Sequence, residues 1–103
     1  MIRHIVFFSF NEAADNLQRN AVLDGLADLP DHFSDMKDFA LGPNVSKRDS
    51  AFAYGMTMRF DTFAQLEAYL TSERHERFVA QQFRPAISQR AIVSFAEPGH
   101  DEG

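Results

Sequence analysis

From Ile2 to Phe10 the chain is apolar at every position except Arg3, His4 and Ser9, and the polar pair Asn11 and Glu12 closes the run. So short a run, rich in β-branched and aromatic side chains, reads as a strand rather than a helix. Successive side chains of a strand point to opposite faces, so Ile2, His4, Val6, Phe8 and Phe10 share one side while Ile5 and Phe7 take the other. Both sides are greasy, so the rest of the chain, or something outside it, has to cover this strand front and back. His4 then stands among apolar neighbours. A third strand is just as legible over residues 51–60, where Phe52, Tyr54, Met56, Met58 and Phe60 alternate with Ala53, Gly55, Thr57 and Arg59.

Between these strands, residues 13–29 place Leu17, Ala21, Val22, Leu26 and Leu29 at helical spacing with polar residues between them, which predicts an amphipathic helix. Gly25 weakens it by about 1 kcal/mol relative to alanine. Pro30 is expected to end it, leaving residues 31–35 as a loop. An irregular second strand over 36–46 contains Gly42, Pro43 and Asn44, which calls for a sheet edge or a bulge. Asn44 beside that Gly-Pro pair is expected to satisfy turn backbone. Residues 47–50 form a polar connector. Thr62 followed by Gln65 is a capping-box pattern for a short helix ending near Thr71, with Phe63, Leu66 and Leu70 on one face. Ser72 caps a further piece that carries His75, Phe78, Val79, Gln82 and Phe83 on one side until Pro85 disrupts it. A last strand spans 89–95. Residues 96–103 have nothing to bury and are expected to form a flexible tail, in which His100 has no chemical role.

The order is β, α, β, β, α in two pieces, β. That is an α+β chain with the ferredoxin-like arrangement, a four-stranded antiparallel sheet with helices on one face, formed by a single domain over residues 1–95. Strands one and three are apolar or aromatic on both faces, so the uncovered face also needs burial. Stacking two such sheets closes a barrel-like interior between protomers, and a homodimer is expected. The 11 Phe in 103 residues point the same way.

Composition narrows the partners. With 10 Lys and Arg against 15 Asp and Glu, the net charge of −5 opposes nucleic-acid binding, even though the aromatic row of strand three resembles a base-stacking surface. There is no cysteine, hence no disulfide, thiolate or Cys-based zinc chemistry, which suits a cytoplasmic setting. The first ten residues are too short and too polar for a signal peptide, and no apolar run approaches the about 18 residues of a membrane span. His4, His32, His75 and His100 are too scattered to predict a metal site. No nucleotide or flavin fingerprint is present, so no cofactor is expected, and haem or quinone monooxygenase chemistry is disfavoured in a chain without Trp or Cys. Arg74, Arg77, Arg84 and Arg90, diluted by Glu73 and Glu76, read as a solvated face.

Three short stretches, in order, carry a family resemblance. They are Met1-Ile2-Arg3-His4-Ile5-Val6, then Leu41-Gly42-Pro43-Asn44-Val45-Ser46, then Tyr69 followed six residues later by His75. Together they resemble the stress-responsive dimeric α+β barrel (Dabb) domain, over roughly residues 1–95. The resemblance implies a homodimer whose two sheets form a central barrel, with a pocket in each protomer between sheet and helices. A plant relative is a polyketide cyclase that closes a poly-β-keto chain by aldol chemistry, and its acid–base pair is similar to Tyr69 and His75. His4 matches a histidine of that pocket. A second tyrosine of the cyclase pocket falls near Leu26, which removes the polar end of that cavity.

His75 and Tyr69 are thus the candidate catalytic pair, and His4, Leu26 and Phe78 the candidate pocket wall. An imidazole can take and return a proton near neutral pH, and a phenol can polarise a carbonyl. Six residues is the wrong spacing for neighbours on one straight helix, so a break at Thr71-Ser72 is required to bring both into one cavity. Equally, His75 can cap a helix or bond a backbone carbonyl, Tyr69 can be wall packing with its hydroxyl in water, and His4 can be a hydrogen-bonded core residue. Two functions remain open. One is an apolar pocket for a small apolar or keto-type ligand, with a cofactor-free cyclase- or lyase-like step; the other is a non-catalytic stress-response or interaction scaffold.

Overall fold

The doubly apolar strand lies inside the sheet. In the computed structural model, which describes residues 1–98, β1 (Ile2–Phe10) pairs antiparallel with β3 (Tyr54–Phe60) on one side and with β4 (Ile87–Ala96) on the other. β2 (Lys37–Pro43) lies outside β3, giving the order β2-β3-β1-β4. Register puts His4 opposite Met58 and Ser94, and Val6 opposite Met56 and Ile92, so these side chains share one face. That face is the core. Phe8, Met58 and Phe60 are fully buried on it against Val22, Leu26, Leu66 and Phe83 from the helical layer. Residues 99–103, and the reading of His100 with them, lie outside the described residues.

The first helix is α1 (Asn16–Ala27), opened by Asp15, whose Oδ1 accepts from the Gln18 N–H at 2.8 Å while Gln18 Oε1 accepts from the Asp15 N–H at 2.9 Å. Val22, Leu26 and Leu29 face the core as expected, but Leu17 is 79% exposed and Ala21 also faces outward. At about 100° per residue, Leu17 and Ala21 lie off the stripe that 22, 26 and 29 define. Pro30 does not end the helical layer. It sits in the first turn of α2 (Leu29–His32), where a missing N–H leaves no bond unmade.

β2 is an edge strand, as its composition requires. Its irregularity falls at Asp38, which has φ 50°, between Lys37 and Ala40, rather than at Gly42-Pro43. α3 (Phe63–Leu70) begins at Thr62, whose Oγ1 accepts from the Gln65 N–H at 3.2 Å; the Gln65 side chain reaches back to the Asp61 N–H rather than to that of Thr62. Phe63 points to solvent, and Tyr69 replaces it on the buried face with Leu66. α4 (Glu73–Phe78) runs into a π-helical turn (Val79–Phe83) and then α5 (Arg84–Ala86). The helix widens into a π turn ahead of Pro85 and ends one residue beyond it, at Ala86, which is the disruption expected there.

The open face of the sheet carries Ile5 and Phe7 from β1 and Val93 and Phe95 from β4, with Phe7, Val93 and Phe95 all more than two-fifths exposed. Its apolar character comes from β1 and β4; β3 turns Gly55, Thr57 and Arg59 outward. The chain also stays ordered past the expected boundary at 95. β4 includes Ala96, and Glu97 bonds the Met1 carbonyl through its N–H at 2.9 Å while its carboxylate bridges Arg3 (3.3 Å) and Arg59 (2.8 Å).

Candidate functional site

The helical break at Thr71-Ser72 is built from side chains. Thr71 Oγ1 donates to the Glu67 carbonyl at 2.8 Å, ending α3. Ser72 Oγ donates to the Tyr69 carbonyl at 2.8 Å and accepts from the His75 N–H at 3.2 Å, starting α4. The chain turns here, and the Tyr69 and His75 rings, which a straight helix would separate, come to 4.6 Å centroid to centroid. Tyr69 is held by Phe60 on one face at 5.7 Å and by the edge contact of Phe33 at 4.9 Å. His4 approaches it from β1 at 6.4 Å.

Each ring has a defined electronic state. His75 Nδ1 lies 3.0 Å from the Leu70 carbonyl. A carbonyl oxygen can only accept, so Nδ1 carries the proton and the neutral ring keeps its lone pair on Nε2. Burial lowers the pKa of His75, against the opposing pull of the Leu70 carbonyl and the Glu76 charge, so the ring is neutral near pH 7. Burial, with a smaller contribution from His75, lowers His4 to about 4. His4 is 3% exposed, and its Nδ1 bonds the Ser94 hydroxyl at 2.7 Å. Burial drives the Tyr69 phenol upward, well above its ordinary value, so it remains a proton donor. Its hydroxyl has no protein partner among the described residues and is not one of the sealed polar atoms, so it is open to the cavity it lines.

That cavity has a volume of about 650 Å³, between the sheet and α1, α3, α4, the π turn and α5. His4, Leu26, Tyr69, His75 and Phe78, the five residues singled out from the sequence, all line it. Phe83, Ile87 and Ile92 add apolar wall, and Arg84, Gln89 and Arg90 form part of its rim. These were not singled out. Arg90 stands opposite Phe8, on the side of His4, and only the β1–β4 register shows it. The bond from His75 to a backbone carbonyl is what a purely structural histidine makes, yet it also leaves Nε2 free. Tyr69 is buried as a residue, at 3% exposed, and packs as part of the cavity wall.

The remaining polar candidates serve the backbone. Asn44 Nδ2 donates to the Asp49 and Phe52 carbonyls at 3.0 and 2.8 Å, and its Oδ1 accepts from the Ser46 N–H, which folds the β2–β3 connector. His32 is instead tied to a side chain, its Nε2 lying 2.7 Å from the Asp28 carboxylate. Among the described residues no group of three or more His, Cys, Asp or Glu gathers as metal ligands would, and no helix is long and apolar enough to cross a membrane.

The family model of the Stress responsive A/B Barrel Domain (Dabb) matches residues 2–97. A comparison with curated proteins finds no match. Among solved structures, a Dabb family protein with a ferredoxin-like fold from Mesorhizobium loti superposes with a TM-score of 0.82 at 20% identity, over 95% of this chain and 97% of its own. A dimeric ferredoxin-like protein of unknown function from Thermobifida fusca gives 0.78 at 25% identity, covering 92% and 89%. The hydroxynitrile lyase of Passiflora edulis gives 0.82 at 21% identity, covering 95% of each chain.

Proposed function

This chain belongs to the stress-responsive A/B barrel domain family, and on that footing we propose that it is a homodimer in which each protomer's cavity binds a small apolar or keto-type molecule and performs cofactor-free acid–base chemistry on it. The observation that carries this reading is the pairing inside one largely apolar cavity of a neutral His75, with Nε2 free, and a protonated Tyr69 phenol 4.6 Å away, ring to ring. His75 Nε2 takes the proton alpha to a carbonyl, the C–H electron pair passes into the carbonyl as an enolate, and the Tyr69 hydroxyl hydrogen-bonds the developing oxyanion. The enolate carbon then forms a bond to a second carbonyl of the same molecule, whose oxygen recovers the proton from His75. In the lyase direction, His75 takes the hydroxyl proton of a hydroxynitrile, the carbon–carbon bond to cyanide breaks, and cyanide leaves with that proton. The fold shared with the Passiflora lyase makes this a substrate class worth assaying.

The dimer is supported by the exposed Phe7, Val93 and Phe95 on the open sheet face and by the dimeric Thermobifida neighbour. Steady-state rates on β-polyketo compounds and hydroxynitriles, for the wild type beside Tyr69→Phe and His75→Ala, test the chemistry. Each variant is expected to lose about 10²-fold or more in kcat. Equal rates in all three proteins would remove the roles assigned to both residues and leave a non-catalytic scaffold.

A further inference from the structure

Two guanidiniums stand at the cavity, and no acid among the described residues pairs with them. Arg84 follows the π turn, and Arg90 stands on β4 opposite Phe8, so the two flank the α5–β4 junction and both line the cavity. Arg3 and Arg59 share Glu97, Arg59 also holds Asp38 at 2.7 Å, and Arg77 pairs with Glu73. Arg19 bonds the Asn11 and Ala14 carbonyls, and neither it nor Arg48 nor Arg74 lines the cavity. Among the described residues neither Arg84 nor Arg90 enters an ion pair. The chain holds 15 Asp and Glu against 10 Lys and Arg, yet among the described residues no carboxylate lines this cavity. An acidic protein has thus kept its negative charge off one wall and set two cations there. A guanidinium presents parallel donors that match the two oxygens of a carboxylate.

We propose that the cavity takes an organic acid, its apolar body against Leu26 and Phe78 and its carboxylate held at the rim by Arg84 and Arg90. The proposal rests on the reading of this cavity as a ligand site and adds the ligand's class. The apolar wall selects against small hydrophilic anions, and anchoring the carboxylate at the rim sets which end of the molecule reaches Tyr69 and His75.

The test is calorimetric titration of the full chain with hexanoate, octanoate and hydrocinnamate, each beside its primary amide, while the His75 ring resonances are followed by NMR. The wild type is expected to prefer each acid over its amide by about tenfold, with the preference shrinking as salt rises. Arg84→Gln and Arg90→Gln should each reduce that preference, and the double variant should abolish it while amide affinity stays unchanged. Acids and amides that bind equally and shift His75 alike would overturn the carboxylate assignment and leave the cavity reading standing. A preference that survives in the double variant, or inorganic phosphate that displaces the acids as well as they displace one another, overturns the assignment too. If neither acids nor amides shift His75, the assignment and the cavity reading fall together.

Discussion

Gly25 sits in the last turn of α1 against Phe78, and replacing it with alanine sets two effects of opposite sign against each other. Alanine in a helix interior is favoured over glycine by about 1 kcal/mol, because it loses less backbone freedom on folding. A Cβ built on Gly25, however, falls 2.3 Å from Phe78 Cε1, 3.0 Å from Cζ and 3.1 Å from Cδ1. Ordinary contact begins at 3.4 Å, so the ring has to retreat by about 1 Å. It is held on π-turn and α4 backbone and lines the cavity, so the retreat either fills that cavity or pushes the helices apart. Overpacking of this kind costs about 1–3 kcal/mol, which outweighs the gain in propensity. Gly25→Ala should therefore lower stability by about 1 kcal/mol in urea denaturation. The same substitution made in a Phe78→Ala background, where the ring is gone, should raise it by about 1 kcal/mol. The decisive quantity is the coupling between the two sites. Equal stabilisation of both backgrounds would show that Phe78 does not press on α1, and the packing argument for the cavity's roof would fail with it.

Two further outcomes follow from burial. Because His4 is held at about 4 against an ordinary 6.5, the unfolded chain takes up the proton first as pH falls; stability is full above 6.5 and is lost towards 4, by at most about 3 kcal/mol from this residue. His75, lowered by burial, acts in the same direction. Urea midpoints across this window should flatten in His4→Gln combined with His75→Gln, and a slope as steep as the wild type's would refute the assignment. On the open sheet face, Phe95→Asp sets a charge where a partner sheet would pack, and sedimentation should find a folded single chain at concentrations where the wild type is paired; unaltered pairing would place the interface elsewhere.

What could be read from the sequence is what depends on local geometry alone. The faces of β1 follow from a period of two, and the break between Tyr69 and His75 follows from the cap Ser72, whose hydroxyl bonds backbone within three residues of itself on either side. The phase of α1 was only partly legible: Leu17 is as apolar as Leu26, and nothing within the helix says which of them the sheet will meet. Pro30 reads as a stop because proline lacks an N–H, yet it stands in the first turn of a short helix, where that N–H has no partner to lose. Arg84 and Arg90 show where local reading stops. On paper they are two charges in a mixed-sign stretch; they belong to the cavity because a π turn re-aims one and the register of β4 on β1 places the other beside Phe8. A cavity's apolar wall is largely drawn by the periodicities that make helices and strands, so it can be anticipated residue by residue. Its charge is set by which distant segments pair, and in this chain that pairing sets two solvent-exposed arginines at the rim of a cavity that no carboxylate lines among the described residues.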